Sequence, residues 1–179
     1  MMDEGRRMTE LLYTGQFLQL FQRPIPHTEN GRWEYVSRVN AKGAVTIIAT
    51  TAQQEIILVE QYRVPLAART LEMPAGIVGD QDPHESFETA ALRELLEETG
   101  YQSQHARTVL VGPTAPGLSS EMIHFVRIEN AIKVGEGGGV DDEDIHVHVV
   151  PLAEVRAWLQ AQSHLLIEPR VYTGLYFVG

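Results

Sequence analysis

The stretch from Gly79 to Tyr101, GDQDPHESFETAALRELLEETGY, constrains this chain more than any other. It reads as a loop, a helix and an abrupt stop. Asp82 has an N-capping side chain, Pro83 suits the first helical position, and Glu85 stands three residues after the cap, the spacing of a capping box. Gly100 supplies the left-handed residue that ends a helix. Phe87, Ala91 and Leu95 recur every fourth residue, an apolar ladder that a helix lays against a core. Glu94 and Glu98 fall within the same stripe, and Glu97 joins them at i+3.

Acids in a core-facing stripe break the binary pattern, and like charges one turn apart repel. Their position near the helix C-terminus also opposes the macrodipole, so they do not serve helix stability. Burying them costs several kcal/mol unless cations compensate. Oxygen-only ligands at Glu94, Glu97 and Glu98 point to a hard divalent ion, Mg²⁺ or Mn²⁺. Arg93 puts a fixed positive charge beside them, and Glu97 is equally available to orient Arg93 or a water. The bland alternative is a solvated acidic helix end.

The spacing Gly79, five residues, Glu85, seven residues, then Arg93-Glu94-Leu95-x-Glu97-Glu98-x-Gly100-Tyr101 resembles a complete Nudix box. The resemblance implies an α/β/α sandwich around a mixed sheet and a metal-dependent hydrolase of nucleoside diphosphates linked to another group. The box identifies the family and leaves the substrate open.

Composition sets the outer bounds. A chain of 179 residues with 44% hydrophobic and 21% charged residues suits one ordinary globular domain, or a domain with a small appendage. With no cysteine, disulfides and thiolate metal sites are excluded, and a reducing, cytoplasmic setting is expected. The apolar runs are too short for a membrane span, and residues 1–10 lack a signal-peptide core. A formal net charge of −10 argues against a nucleic-acid surface, so an anionic substrate must be met by local cations.

Along the chain, Leu11 to Ile25 reads as strand, Asn30-Gly31 as a hairpin turn and Arg32 to Arg38 as the returning strand. We read residues 1–40 as an N-terminal β-arm and 41–179 as the main domain. Gly43 to Thr50 and Glu55 to Tyr62 are β-branched strands, followed by a loop at Arg63 to Leu66 and a short strand from Thr70 to Met73 that Pro74-Ala75-Gly76 breaks. Thr108 to Val111, Met122 to Ile128 and Ile145 to Val150 complete the strands. Gly135 to Gly139 is expected to be mobile by composition. Pro151 is expected to open an amphipathic helix through Leu152, Val155 and Leu159, and Glu168 to Val178 to form a final helix. His146 and His148 share a strand face and suggest structural or surface roles.

Segments outside the box, including Val59 to Arg63, Leu71 to Gly76, Pro116 to Ser119 and Arg170 to Tyr172, are similar to those of ADP-ribose pyrophosphatases. That similarity implies a nucleotide-sugar substrate, a homodimer, and roles for specific residues. The Ala75 backbone carbonyl would be a further metal ligand, and Arg63, with Arg38, would hold a phosphate. Glu72 would stand near the site, and Pro116 and Leu118 would line the base pocket. Trp33 would stack a base, the alternative being a core or dimer contact. Glu143 aligns with a loop glutamate used as base or metal ligand, with Asp141, Asp142 and Glu121 as rivals. The expected reaction is Mg²⁺-dependent cleavage of ADP-ribose or a related nucleoside diphosphate sugar. GDP-mannose as main substrate, or a catalytically silent nucleotide sensor, are the alternatives.

Overall fold

A computed structural model describes residues 9–80, 82–139 and 144–178. The chain begins with a three-stranded antiparallel sheet of β1 (Glu10–Thr14), β2 (Leu18–Pro24) and β3 (Arg32–Arg38). The strand expected from Leu11 to Ile25 is therefore two strands. Gly15 turns the chain between them, its amide donating to the Leu18 carbonyl at 2.8 Å.

The main body follows as β4 (Gly43–Ala49), β5 (Glu55–Arg63), β6 (Ala68–Glu72), β7 (Ala75–Val78), α1 (Phe87–Thr99), β8 (Tyr101–Gln102) and β9 (Ala106–Pro113). It continues through β10 (Met122–Ile128), β11 (Ile132–Lys133), β12 (Ile145–Pro151), α2 (Val155–Ala161), β13 (Leu166–Ile167) and α3 (Pro169–Tyr176). Two mixed four-stranded sheets run in the orders β7-β4-β10-β9 and β12-β5-β6-β13, each with one parallel pair, β4 with β10 and β6 with β13. The single mixed sheet expected from the sequence is thus two sheets, with a β8-β11 ribbon beside them.

Every residue of strand β4 is buried, and Thr46 is its one polar side chain. Val45, Ile47 and Ala49 join Ala90, Ala91 and Leu95 of α1 in one core, while Ala44 and Ile48 pack with Phe177 and Val178 at the end of α3 in another. Successive side chains leave a strand on opposite faces, so a strand covered on both sides carries no polar alternation. A third core joins β5 and β6 to α2 and α3 through Ile56, Leu58, Leu71, Leu159 and Val171. Helices thus cover β4 from both sides, as the sandwich expectation requires.

Other local expectations change. The segment after Met73 is not only a break. Residues Ala75–Val78 form β7, antiparallel to β4 with Ala75 opposite Thr46. Pro151 ends β12 opposite Glu55 instead of opening a helix, and Leu152 donates to the Gln54 carbonyl at 2.9 Å, so α2 starts only at Val155. A proline tolerates an extended strand end, which satisfies it as well as a helix start does. Among the described residues, no helix is long and apolar enough to cross a membrane.

Candidate active site

The helix α1 starts later than its sequence suggests. Its N-cap is Ser86, whose hydroxyl accepts from the Thr89 amide at 3.1 Å. Asp82 instead accepts from the His84 amide at 2.8 Å, and its carbonyl accepts from the Glu85 amide at 3.0 Å, a turn that precedes the helix. Pro83 lies in that turn, and Glu85 is not a capping-box partner. Its carboxylate takes both Nε and Nη2 of Arg93, at 3.1 and 3.3 Å. A serine nearer the first turn captures the amide that Asp82 is too far away to reach, which frees Glu85 for the arginine.

The other end of α1 stops at Gly100, with φ of 69°, where its amide donates to the Leu96 carbonyl. The glycine-rich segment that follows β11 is engaged there. Gly138 and Gly139 donate to the carbonyls of Glu98 and Glu97 at 2.8 and 3.1 Å, and Lys133 Nζ reaches the Thr99 carbonyl at 2.9 Å. These contacts satisfy helix-end carbonyls and put a cation at the negative end of the dipole, where the helix itself has only acids. The expectation of a segment left free by its composition gives way to a helix cap.

A cleft of about 470 Å³ opens at this end of the molecule. It brings together Arg38, Arg63, Ala75, Arg93, Glu94, Glu97 and Glu98 from the sequence-derived set. Trp33, Glu72, Pro116 and Leu118 do not line it. Glu143, with Asp141 and Asp142, lies outside the described residues. Glu98 is 5% exposed and accepts from the Ala75 amide at 3.1 Å, which ties α1 to β7. Arg93 Nη1 sits between Glu94 and Glu97, donating to each at 2.9 Å. Arg93 therefore serves four oxygens of the box, and those partners hold its guanidinium firmly in the charged form.

Burial pushes the Glu94 carboxyl up to about 7; Arg93 pulls the other way, while Glu97 and Asp80 add repulsion. The site thus concentrates negative charge that the protein does not fully neutralise. Donors are all oxygen, partly desolvated and mutually repelling, the chemistry that a hard divalent cation relieves. Among the described residues, no three His, Cys, Asp or Glu side chains converge in a metal-holding arrangement, and Arg93 Nη1 stands between Glu94 and Glu97.

The remaining sequence-derived residues form a frame around this cluster. Arg63, partly exposed, donates Nε and Nη2 to the two oxygens of Glu72 at 2.7 and 2.5 Å. Glu72 is 2% exposed and also accepts from Thr70 Oγ1. Burial raises its carboxyl, but the bonds from Arg63 and Thr70 outweigh that and hold it below the usual carboxylate range. Arg38 pairs with Glu121 at 2.5 Å, so this rival for the base is engaged at the rim of the cleft. Trp33 is 53% exposed, and its indole N–H donates to the Gly117 carbonyl at 3.0 Å. Val36 exchanges backbone bonds with Leu118 and Ser120, so the N-terminal sheet docks on the loop that carries Pro116. Both Trp33 and Leu118 remain largely uncovered.

His146 and His148 on β12 pair with Glu60 of β5, and His146 also with Asp144 just before β12, away from the cleft lining. Sequence reasoning gave no role to Glu168 or Arg170, which the structure adds to the cleft. The signals that could have found them were a charged pair at the start of an otherwise apolar helix and, for Arg170, its place in the segment Arg170 to Tyr172 that resembles ADP-ribose pyrophosphatases.

A family model described as NUDIX domain matches residues 41–170. The chain is 33% identical over 171 residues to the methanol dehydrogenase activator of Bacillus methanolicus, covering 95% of this chain and 86% of that protein. It is 31% identical over 163 residues to the ADP-ribose pyrophosphatase of Bacillus subtilis (strain 168), covering 90% and 86%. Among solved structures, one described as an ADP compounds hydrolase superposes with a TM-score of 0.65 at 20% identity, covering 88% of this chain and 94% of that one, which speaks to the fold.

Proposed function

The chain belongs to the Nudix family, and from that premise we propose that it is a pyrophosphohydrolase of nucleoside diphosphate sugars, ADP-ribose foremost. The protein is a hydrolase of phosphoanhydride bonds, and the products would be a nucleoside monophosphate and a sugar phosphate. The observation that carries this reading is the crowding of Glu94, Glu97 and Glu98 into one cleft with Arg63 and Arg93. A module that only bound nucleotides would have no use for three acids held against their own repulsion.

Glu94, Glu97, Glu98 and the Ala75 carbonyl would hold Mg²⁺ or Mn²⁺. When bound, the ion would neutralise charge on the phosphoryl oxygens around the scissile bridge. Arg93 holds Glu85, Glu94 and Glu97 in place through its ion pairs to all three. Arg63, oriented by Glu72, would take the phosphoryl group that does not react, with Arg38 at the rim. A water oxygen would attack one phosphorus, the P–O bridge bond would break, and a carboxylate would accept the proton. Glu143 is proposed for that proton transfer on its sequence position alone.

Trp33 and Leu118 would receive the base. They stand on the N-terminal sheet and the loop it docks on, outside the acidic cleft, and are left uncovered in the single chain. That supports completion of the base pocket by a second copy, hence a homodimer. A cytoplasmic setting fits a chain without cysteine.

The test is turnover of a panel of ADP-ribose, GDP-mannose and other nucleotide sugars with Mg²⁺, Mn²⁺ or chelator, products resolved by ion-exchange chromatography. Metal-dependent release of AMP from ADP-ribose at the highest kcat/KM is expected. Faster release of GMP from GDP-mannose would move the substrate assignment. Binding without turnover under any metal would replace the enzyme by a sensor. For the dimer, a variant lacking residues 1–38 that remains active, and is as monomeric by light scattering as the full chain, would sink the proposal.

A further inference from the structure

Besides the acidic cluster, the cleft is lined by Arg63, Glu168 and Arg170. Glu168 precedes α3 at the N-cap position, yet its side chain makes no capping bond. It accepts instead from Nε of Arg170. The pair is fixed at both ends. The Glu168 amide donates to the Leu71 carbonyl at 3.0 Å, and Arg170 Nη1 reaches Thr46 Oγ1 on β4 at 3.3 Å.

Two features set this pair apart from a stabilising surface bridge. First, Oε2 of Glu168 is enclosed and accepts no hydrogen bond among the described residues. Burial correspondingly pushes its carboxyl up, with Arg170 pulling the other way. Buried acceptors in stability elements are satisfied, so an enclosed oxygen without a donor asks what else the group does. Second, a guanidinium has five N–H donors, and Arg170 uses two of its three nitrogens on Glu168 and Thr46. Arg63 likewise uses Nε and Nη2 on Glu72. Each arginine is therefore held by its own buried or half-buried acid while it still borders the cleft with donors to spare. Planar guanidiniums held in this way suit the oxygens of a diphosphate, because bidentate donation needs a fixed fork.

We propose that Arg170, held by Glu168 and Thr46, is a second guanidinium contact to the substrate's diphosphate beside Arg63, with Glu168 as its positioning residue. This rests on the pyrophosphohydrolase reading. The two guanidiniums receive negative charge that the acidic cluster would otherwise repel, which a chain of net charge −10 must do locally.

The experiment compares wild type with R170Q, R170K and E168Q. It measures steady-state kinetics on ADP-ribose with Mg²⁺, and calorimetric binding of ADP-ribose in chelator, where no turnover competes. R170Q is expected to raise KM and the metal-free Kd by roughly 10- to 100-fold, the worth of charge-assisted hydrogen bonds, with kcat changed far less. R170K, which keeps the charge without the fork, recovers part of that loss. E168Q raises KM in the same direction without lowering Tm, whereas a merely structural Glu168 would lower Tm and leave KM alone. A KM and Kd within twofold of wild type in folded R170Q overturns the proposal. If R170Q does not fold, R170K decides by the same criterion. Wild type that cleaves no nucleotide sugar overturns the pyrophosphohydrolase reading and this inference with it, a result distinct from active wild type with an indifferent Arg170.

Discussion

Gly76 is the most exacting test of how the acidic cluster is built. It lies on β7 opposite Val45, with no side chain of its own, and Glu94 fills the space above it. A Cβ added there would stand 2.1 Å from Glu94 Cδ and 2.2 Å from its Cγ and Oε1, where ordinary contact begins at 3.4 Å. One partner must give by about 1 Å, and the backbone of β7 is pinned by its pairing with β4, so Glu94 moves. Leaving its rotamer costs about 0.5–1.5 kcal/mol, and overpacking of this kind costs about 1–3 kcal/mol in all. The functional cost is larger, since a group displaced by about 1 Å in a reacting site loses on the order of 100-fold in rate. Gly76→Ala is therefore expected to lose about 100-fold in kcat/KM, to need more Mg²⁺ for half-maximal rate, and to lose only a few degrees in Tm. The assay is a Mg²⁺ titration of ADP-ribose turnover alongside thermal melts. Wild-type turnover and Mg²⁺ dependence in G76A would refute the reasoning, because the strain would then have been absorbed without moving Glu94.

Three further outcomes follow from the same geometry. Glu98→Gln should keep the fold, since an amide oxygen still accepts from the Ala75 amide, yet lose at least about 100-fold in kcat with Mg²⁺; near-native activity in the folded variant would rule Glu98 out as a metal ligand. Trp33→Ala should raise KM for ADP-ribose by roughly 10- to 100-fold, the worth of one stacked base, with the smallest effect on substrates whose base binds weakly; unchanged KM values across the panel would remove Trp33 from the pocket. Glu94 has a folded-state carboxyl at about 7, above the unfolded carboxylate range near 4.3, so without metal it destabilises the fold progressively as pH rises from about 4.3 to 7. Chelated Glu94→Gln should accordingly melt higher than wild type at pH 8, by up to about 3 kcal/mol, with the gap closing near pH 4; equal melts at both pH values would contradict the burial argument.

The acidic cluster also explains why its arginine belongs to the motif. Three carboxylates on one helix end would force the helix apart or take up protons without compensation. Arg93 supplies one cation for Glu85, Glu94 and Glu97 at once, and the Lys133 and glycine contacts steady the helix end. The cost appears in Glu94, whose carboxyl remains raised despite the guanidinium.

What the sequence by itself determined is the part written in local spacing. Acids at i, i+3 and i+4, two of them inside an apolar stripe, a glycine stop, and the β-branched run of β4 each follow from the pattern of one element, so the acidic helix, its C-terminus and the layered α/β class were legible. Tertiary structure decided everything that depends on competition or on distant partners. Ser86 and Asp82 both carry capping side chains, and only the folded turn selected Ser86 and released Glu85 to Arg93. Pro74-Ala75-Gly76 reads as a break until β4 offers Ala75–Val78 a partner, and Gly135 to Gly139 reads as loose until the α1 carbonyls stand beside it. Glu168 and Arg170 lie more than sixty residues beyond the box and carry no periodic signal. They join the cleft because α3 packs on β4 and β6, a contact set by burial of apolar faces that no local pattern of charges records.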